Sequence, residues 1–221
     1  MNQKRKLYHG SEKIISTPLY GAGRADNDYG QGFYCTEEIE LAKEWACQTL
    51  KDGFVSCYDL DMTGLTVLNL TDEPYQVLHW LALLNENRKP SISTRIGADA
   101  STYLQQRYLP DISDVDVIIG YRADDSYFSF ARSFLNNQIS MQQLGKAMKL
   151  GKLGEQIVLK SKNAFSRLQY REFEIAAGNI YFHKRQARDE KARNDFLIEQ
   201  QGSDLEGTYI LDLIRESREE S

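Results

Sequence analysis

Cysteine is scarce in this chain: Cys35, Cys47 and Cys57 are the only three, and their spacing matches no metal-binding pattern. An odd, sparse set reads as free thiols in a reducing compartment, without structural zinc. Long apolar runs are missing as well. Nothing approaches membrane-spanning length, and the basic start M-N-Q-K-R-K leads into a strand-like L-Y-H rather than a signal-peptide core. The expectation is a cytoplasmic protein. There is no glycine-rich Rossmann fingerprint, P-loop or G-x-S-x-G elbow, which removes the usual evidence for most nucleotide folds. Internal repeats and low-complexity linkers are absent too. Nor is there an excess of positive charge: the formal net charge of -5 argues against a surface wholly devoted to nucleic acid, while leaving room for a local basic groove.

What is present is a soluble globular composition, 41% hydrophobic and 27% charged, with thirteen Tyr and nine Phe in 221 residues. That length holds one sizeable core, or one domain with an appended subdomain. Residues 6–10 and 32–35 read as short strands. The segment between them carries Pro18, Gly21, Gly23 and Gly30 with little periodicity, and so predicts a long loop of the functional kind. Thr36 stands where it would cap the next helix, with Glu37 and Glu38 in the first turn and Leu41, Ala42, Trp45, Ala46 and Thr49 on its buried stripe. Residues 54–60 and 65–70, either side of D-M-T-G, predict a hairpin or a sequential strand pair. Helices are predicted over 72–85, 95–109, 126–136, 140–150 (Ser140 and Gln143 in capping-box spacing) and 162–168 (capped by Ser161), with strands over 116–120, 156–160 and 169–176. From Tyr181 a dense run of both charges, then an apolar stretch at 209–214, predicts one or two surface helices packed on the main domain or reaching a partner.

Two short stretches carry side chains that local folding does not require. His9 is either a half-buried histidine bonded to backbone or, with Gly10 admitting a ligand, a fixed hydrogen-bond donor to a ligand hydroxyl. Gly30, Gly32, Phe33 and Tyr34 set two glycines before two aromatics, which makes either a turn into a strand or a shelf for a planar ligand. Asp124 and Asp125 read as helix caps or as acids facing a ligand. Cys35 alternates with Tyr34 and belongs to the core.

Taken in order, L-Y-H-G-S at 7–11, G-R at Gly23 and Arg24, D-Y-G-Q-G-F-Y-C-T at 28–36 followed by L-A-K-E-W-A, D-V-I-I-G-Y-R-A-D-D at 116–125, S-M-Q-Q-L from Ser140 and E-Q-I-V-L-K-S-K-N-A-F at 155–165 resemble a known family. It is a bacterial ADP-ribosyltransferase-like family, domain of unknown function 3990. The resemblance implies an α+β chain whose split antiparallel β-sheet grips NAD, with peripheral helices and a helical C-terminal extension: a domain over 1–178 and an extension over 179–221. NAD would be the substrate. His9 would hydrogen-bond a ribose hydroxyl, and the nicotinamide carboxamide would dock on backbone near Gly10. Tyr34 would stack on nicotinamide from a shelf that includes Gly32 and Phe33, and Arg24 would pair with pyrophosphate. The superfamily's late-strand glutamate, which stabilises the oxocarbenium-like transition state, falls on E-Q-I-V, where the register puts Gln156 inward and Glu155 on the other face unless a bulge reverses them. Asp124 is a further candidate facing the ribose or the acceptor.

The activity implied is mono-ADP-ribosylation of a macromolecule, protein or nucleic acid, by the toxin of a bacterial toxin-antitoxin or phage-defence module. A small antitoxin protein would be its partner, and neither metal nor membrane is needed. NAD hydrolysis and non-catalytic binding of NAD or ADP-ribose are the alternatives, the latter favoured by an amide at position 156.

Overall fold

The computed structural model describes residues 4–72, 76–89, 92, 94–122, 125–148, 154–202 and 204–219. In chain order they form β1 (Lys4–Ser11), β2 (Phe33–Cys35), α1 (Ile39–Ala46), β3 (Gly53–Asp61), β4 (Val67–Asn69), α2 (Val77–Arg88), α3 (Arg95–Tyr108), β5 (Val117–Tyr121), α4 (Asp125–Leu135), α5 (Met141–Ala147), β6 (Glu155–Leu159), α6 (Lys162–Ser166), β7 (Leu168–Ala176), α7 (Gly178–Gln201) and α8 (Ile210–Glu219). The chain is α+β. One sheet is β1-β3-β7, antiparallel throughout; the other is β2-β6-β5-β4, with β4 and β5 parallel and the remaining pairs antiparallel.

The two sheets meet where Tyr8 and Thr36 exchange backbone hydrogen bonds, Tyr8 N to Thr36 O at 2.8 Å and Thr36 N to Tyr8 O at 3.0 Å. That bridge changes the start of α1. Because both backbone groups of Thr36 are held extended, the helix begins at Ile39, with Glu38 as an N-cap lacking a side-chain bond, and Thr36 Oγ1 serves only to accept from Glu38 N. Thr49 lies exposed beyond the helix end.

Residues 54–60 and 65–70 give two sequential strands, β3 and β4, but these do not pair as a hairpin. Both edges of β3 are taken, by β1 and β7, so the chain after Asp61 turns through Gly64 (φ +69°) and pairs β4 with β5 in the other sheet. The V-I-I run of β5 is apolar on both sides for a related reason. Val117 and Ile119 face a cluster with Leu7, Cys35, Leu60, Ile157 and Leu159 between the sheets, while Ile118 joins the large core under α2, α3, α4 and α5. Fully burying such side chains contributes about 1.5–3 kcal/mol each.

Helix α2 starts later than expected, at Val77, through a capping box between Gln76 and His79. The Ser140–Gln143 box at α5 and the Ser161 cap at α6 fall where the sequence puts them. Helices α7 and α8 complete the core rather than hang from it. Phe196 packs on Phe130 with ring centroids 3.9 Å apart, and Ile210 and Ile214 are buried in the same cluster. Arg188 makes a two-pronged pair with the buried Glu44 of α1, Nε to Oε2 at 2.8 Å and Nη2 to Oε1 at 2.7 Å. All three cysteines are free and buried. Among the described residues, no helix is long and apolar enough to cross a membrane, and no group of three or more His, Cys, Asp and Glu is placed to hold a metal.

Candidate functional site

Where β1 and β2 part, the long loop before β2 folds over the gap and encloses a cavity of about 590 Å³, within the range of small-molecule sites, roughly 300–1,000 Å³. His9, Gly10, Gly32, Phe33, Tyr34 and Gln156 all line it. Arg24 and Glu155 do not.

The geometry gives each lining residue a definite character. His9 Nδ1 lies 2.7 Å from the carbonyl oxygen of Tyr34. A carbonyl only accepts, so Nδ1 carries the proton. Burial pulls the imidazole pKa below its ordinary value, which keeps the ring neutral and leaves Nε2 as a bare acceptor. His9 therefore offers a ligand hydroxyl an acceptor, the reverse of the donor expected from sequence. Phe33 lies over the imidazole, centroids 4.4 Å apart and planes 29° from parallel, and meets Tyr58 edge-on at 5.6 Å.

Tyr34 is committed at its tip. Its hydroxyl donates to Gly30 O at 2.6 Å and accepts from Tyr29 N at 3.0 Å, so the side chain tethers the loop as well as lining the cavity. Burial drives its phenol pKa well up, which keeps it neutral. A second latch comes from Lys160, whose Nζ donates to Tyr29 O and Gln31 O at 2.5 and 2.6 Å, and whose pKa burial lowers.

The glycine before β2 is explained by packing. A Cβ on Gly32 would stand 2.7 Å from Val158 Cγ1 and 2.9 Å from Leu159 O. At Gly10, which also lines the cavity, a Cβ would lie 1.9 Å from Ala42 O, so the close approach of helix α1 requires glycine there.

Strand β6 settles the two-residue ambiguity. Its pairing with β5 runs without a bulge, Gly120 opposite Gln156 and Tyr121 opposite Glu155, so Gln156 is buried on the cavity side and Glu155 is exposed. The Gln156 amide donates through Nε2 to Asp28 Oδ2 at 3.1 Å, while its Oε1 is buried without a partner. Asp28 is itself buried and accepts on Oδ1 from Arg88 Nη1 at 2.9 Å. Arg24 pairs instead with Asp26 in solvent, Nε to Oδ1 at 2.9 Å and Nη2 to Oδ2 at 2.6 Å. Asp124 falls outside the described residues.

Among the lining residues that the sequence reading does not assign to a site are Asp28, Trp45, Arg88 and Arg122. Asp28 opens the D-Y-G-Q-G-F-Y stretch and Arg122 lies within Y-R-A-D-D, so both sit inside quoted motifs. Arg88 ends a helix too distant in sequence to flag. The Arg122 guanidinium lies 4.5 Å from the Trp45 ring centroid, and the Trp45 Nε1–H is buried without a partner. The described lining residues include two guanidiniums, one of them paired with the carboxylate of Asp28, and a neutral imidazole; forked guanidinium donors suit an anionic ligand.

Fold and site thus define an α+β protein of two joined sheets with a ligand-sized cavity where they part. The chain belongs to the family described as protein of unknown function DUF3990, whose model matches residues 5–170, from within β1 to within β7. Helices α7 and α8 lie beyond that match. No curated protein and no solved structure matches the chain.

Proposed function

We propose that this protein is a mono-ADP-ribosyltransferase that cleaves NAD at the nicotinamide–ribose bond and transfers ADP-ribose to a macromolecule. The observation that carries the reading is the cavity at the split of the two sheets, which gathers a neutral His9 acceptor, the Phe33 and Tyr34 rings and two arginines on one ligand-sized space. Two sheets that, among the described residues, meet at the Tyr8–Thr36 bridge agree with the split-sheet fold of that superfamily.

In this reading His9 Nε2 accepts from a ribose hydroxyl, the aromatic pair flanks the nicotinamide, and Arg88 and Arg122 take the pyrophosphate in place of Arg24, since forked guanidinium donors match phosphate oxygens. The C1′–N bond breaks with its electron pair going to the pyridinium nitrogen, so nicotinamide leaves neutral. An acceptor lone pair then bonds C1′ and the acceptor's proton passes to water. Holding the ribose and acceptor in line supplies the acceleration. The free thiols agree with action in the cytoplasm, as the toxin of a toxin-antitoxin or phage-defence module restrained by a small partner protein. A second reading, NAD or ADP-ribose binding without turnover, is favoured by the neutral amide of Gln156 at the inward position of β6.

The test is incubation of the purified chain with NAD, following nicotinamide release and the transfer of labelled ADP-ribose into a bacterial lysate. Release with labelled macromolecule is expected. Release without label makes the protein a glycohydrolase, and a raised melting temperature with intact NAD makes it a binding module. The absence of both nicotinamide release and a thermal shift overturns the reading.

A further inference from the structure

Strand β6 offers the cavity an amide, and an amide brings no charge to oppose a cation. Among the described residues lining the cavity, Asp28 is the only carboxylate. It sits one hydrogen bond behind Gln156, 4% exposed, with Oδ2 taking the Gln156 Nε2–H at 3.1 Å and Oδ1 taking an Arg88 N–H at 2.9 Å.

The chemistry of that contact fixes the amide's direction. An ionised carboxylate only accepts, so the Gln156 atom facing it is the NH₂ group; the reversed amide would set oxygen against oxygen. Oε1 is thereby turned away from Asp28, and it is buried with no partner at all. A buried acceptor left unmade is rare in folded proteins and calls for an explanation. Here the orphan belongs to a residue lining the cavity. Arg88 offsets the burial of the Asp28 charge, and in a low-dielectric interior a carboxylate on the NH₂ end makes the far oxygen of the same amide a stronger acceptor.

We propose that Asp28 is a positioning residue of the site. It acts through Gln156, orienting the amide so that Oε1 accepts from a ligand hydroxyl and placing negative charge behind that oxygen. The proposal rests on the NAD-cleaving reading: as the C1′–N pair leaves with neutral nicotinamide, positive charge grows on the ribose, and a ribose hydroxyl bonded to Oε1 becomes a better donor. The sequence thus divides between two residues, an oriented amide and a buried carboxylate, what a single glutamate would do.

Reciprocal substitution tests it. In Asp28→Asn the new amide donates toward position 156, which turns the Gln156 amide over and presents NH₂ to the cavity; kcat for nicotinamide release should fall about 100-fold, the scale seen when one preorganised group is lost, with KM for NAD little changed. Gln156→Glu alone sets two carboxylates against each other and should also lose activity. The double variant D28N/Q156E restores a donor–acceptor pair and moves the charge to position 156. It should recover kcat to within about tenfold of wild type, as expected when two residues act as one unit.

Wild-type kcat in D28N, a gain in Q156E alone, or a folded double variant without recovery would each overturn the proposal. Melting temperatures report the orientation independently of turnover: each single variant should melt lower and the double should recover, and their failure to couple also counts against it. A wild type that releases no nicotinamide removes the NAD reading, whereas the coupled melting temperatures still decide the Asp28–Gln156 orientation.

Discussion

Replacing Tyr34 by Phe separates the two jobs the residue holds, because the ring stays and only the hydroxyl goes. That hydroxyl makes two bonds to the loop, to Gly30 O at 2.6 Å and from Tyr29 N at 3.0 Å, and both loop residues are buried. Each lost bond contributes about 1 kcal/mol net, and a buried backbone group left unpaired costs about 1–3 kcal/mol. The Tyr29 carbonyl keeps its bond to Lys160, and Tyr29 Oη keeps Tyr121 O at 2.6 Å, so the loop loosens without detaching. The expected destabilisation is about 2–4 kcal/mol, which for a chain of this size lowers Tm by roughly 5–12 °C. Asp28 adjoins Tyr29, so its bonds to Arg88 and Gln156 loosen with the loop and the thermal shift produced by NAD should shrink. Circular-dichroism melting with and without NAD measures both. An unchanged Tm would refute the tether, and a lower Tm with an undiminished NAD shift would show that the loop does not shape the site.

His9 gives a pH dependence whose sign follows from its lowered folded-state pKa. Below the unfolded value of 6.5 the unfolded chain takes a proton that the buried ring refuses, so stability is present above that pH and is lost as pH falls, by at most about 1.4 kcal/mol per pH unit. Chemical denaturation of wild type and His9→Gln between neutral and mildly acidic pH should show wild type losing its advantage on acidification; a constant difference would refute the neutral, buried ring. For the charged residues, Arg122→Ala should weaken NAD binding at least about tenfold, as for loss of a charge-assisted contact, while Arg24→Ala, whose partner is the exposed Asp26, leaves it unchanged. Calorimetric titration with NAD distinguishes them, and the opposite ranking would return the pyrophosphate role to Arg24.

Elements whose signals are local were legible in the sequence. Ser140 with Gln143, and Ser161 before Lys162, announce their helices because a capping box is complete within four residues. The V-I-I run announces a strand covered on both faces. What failed was decided by partners far along the chain. No local pattern says that Thr36 is held extended by Tyr8, so α1 starts late. None says that β7, from the far end of the domain, takes the edge of β3 and denies β4 a hairpin.

The same division explains the site. The predicted residues that line the cavity, His9, Phe33, Tyr34 and Gln156, lie on short strands whose local pattern singles them out. Those that were missed act through pairings no spacing reveals: Asp28 bonds Gln156 across 128 positions and Arg88 across 60. Arg24 drew notice because it stands between the two marked stretches, yet an arginine two residues before an aspartate has a partner at hand, and in solvent that partner holds it. Arg88 and Arg122 differ in having aromatic rings beside them, Phe128 at 4.4 Å and Trp45 at 4.5 Å, which hold a guanidinium in a fixed place at the cavity, Arg88 also bonding the buried Asp28. For a site that must receive an anion, arginines braced on aromatic rings are therefore better evidence than one placed between motifs.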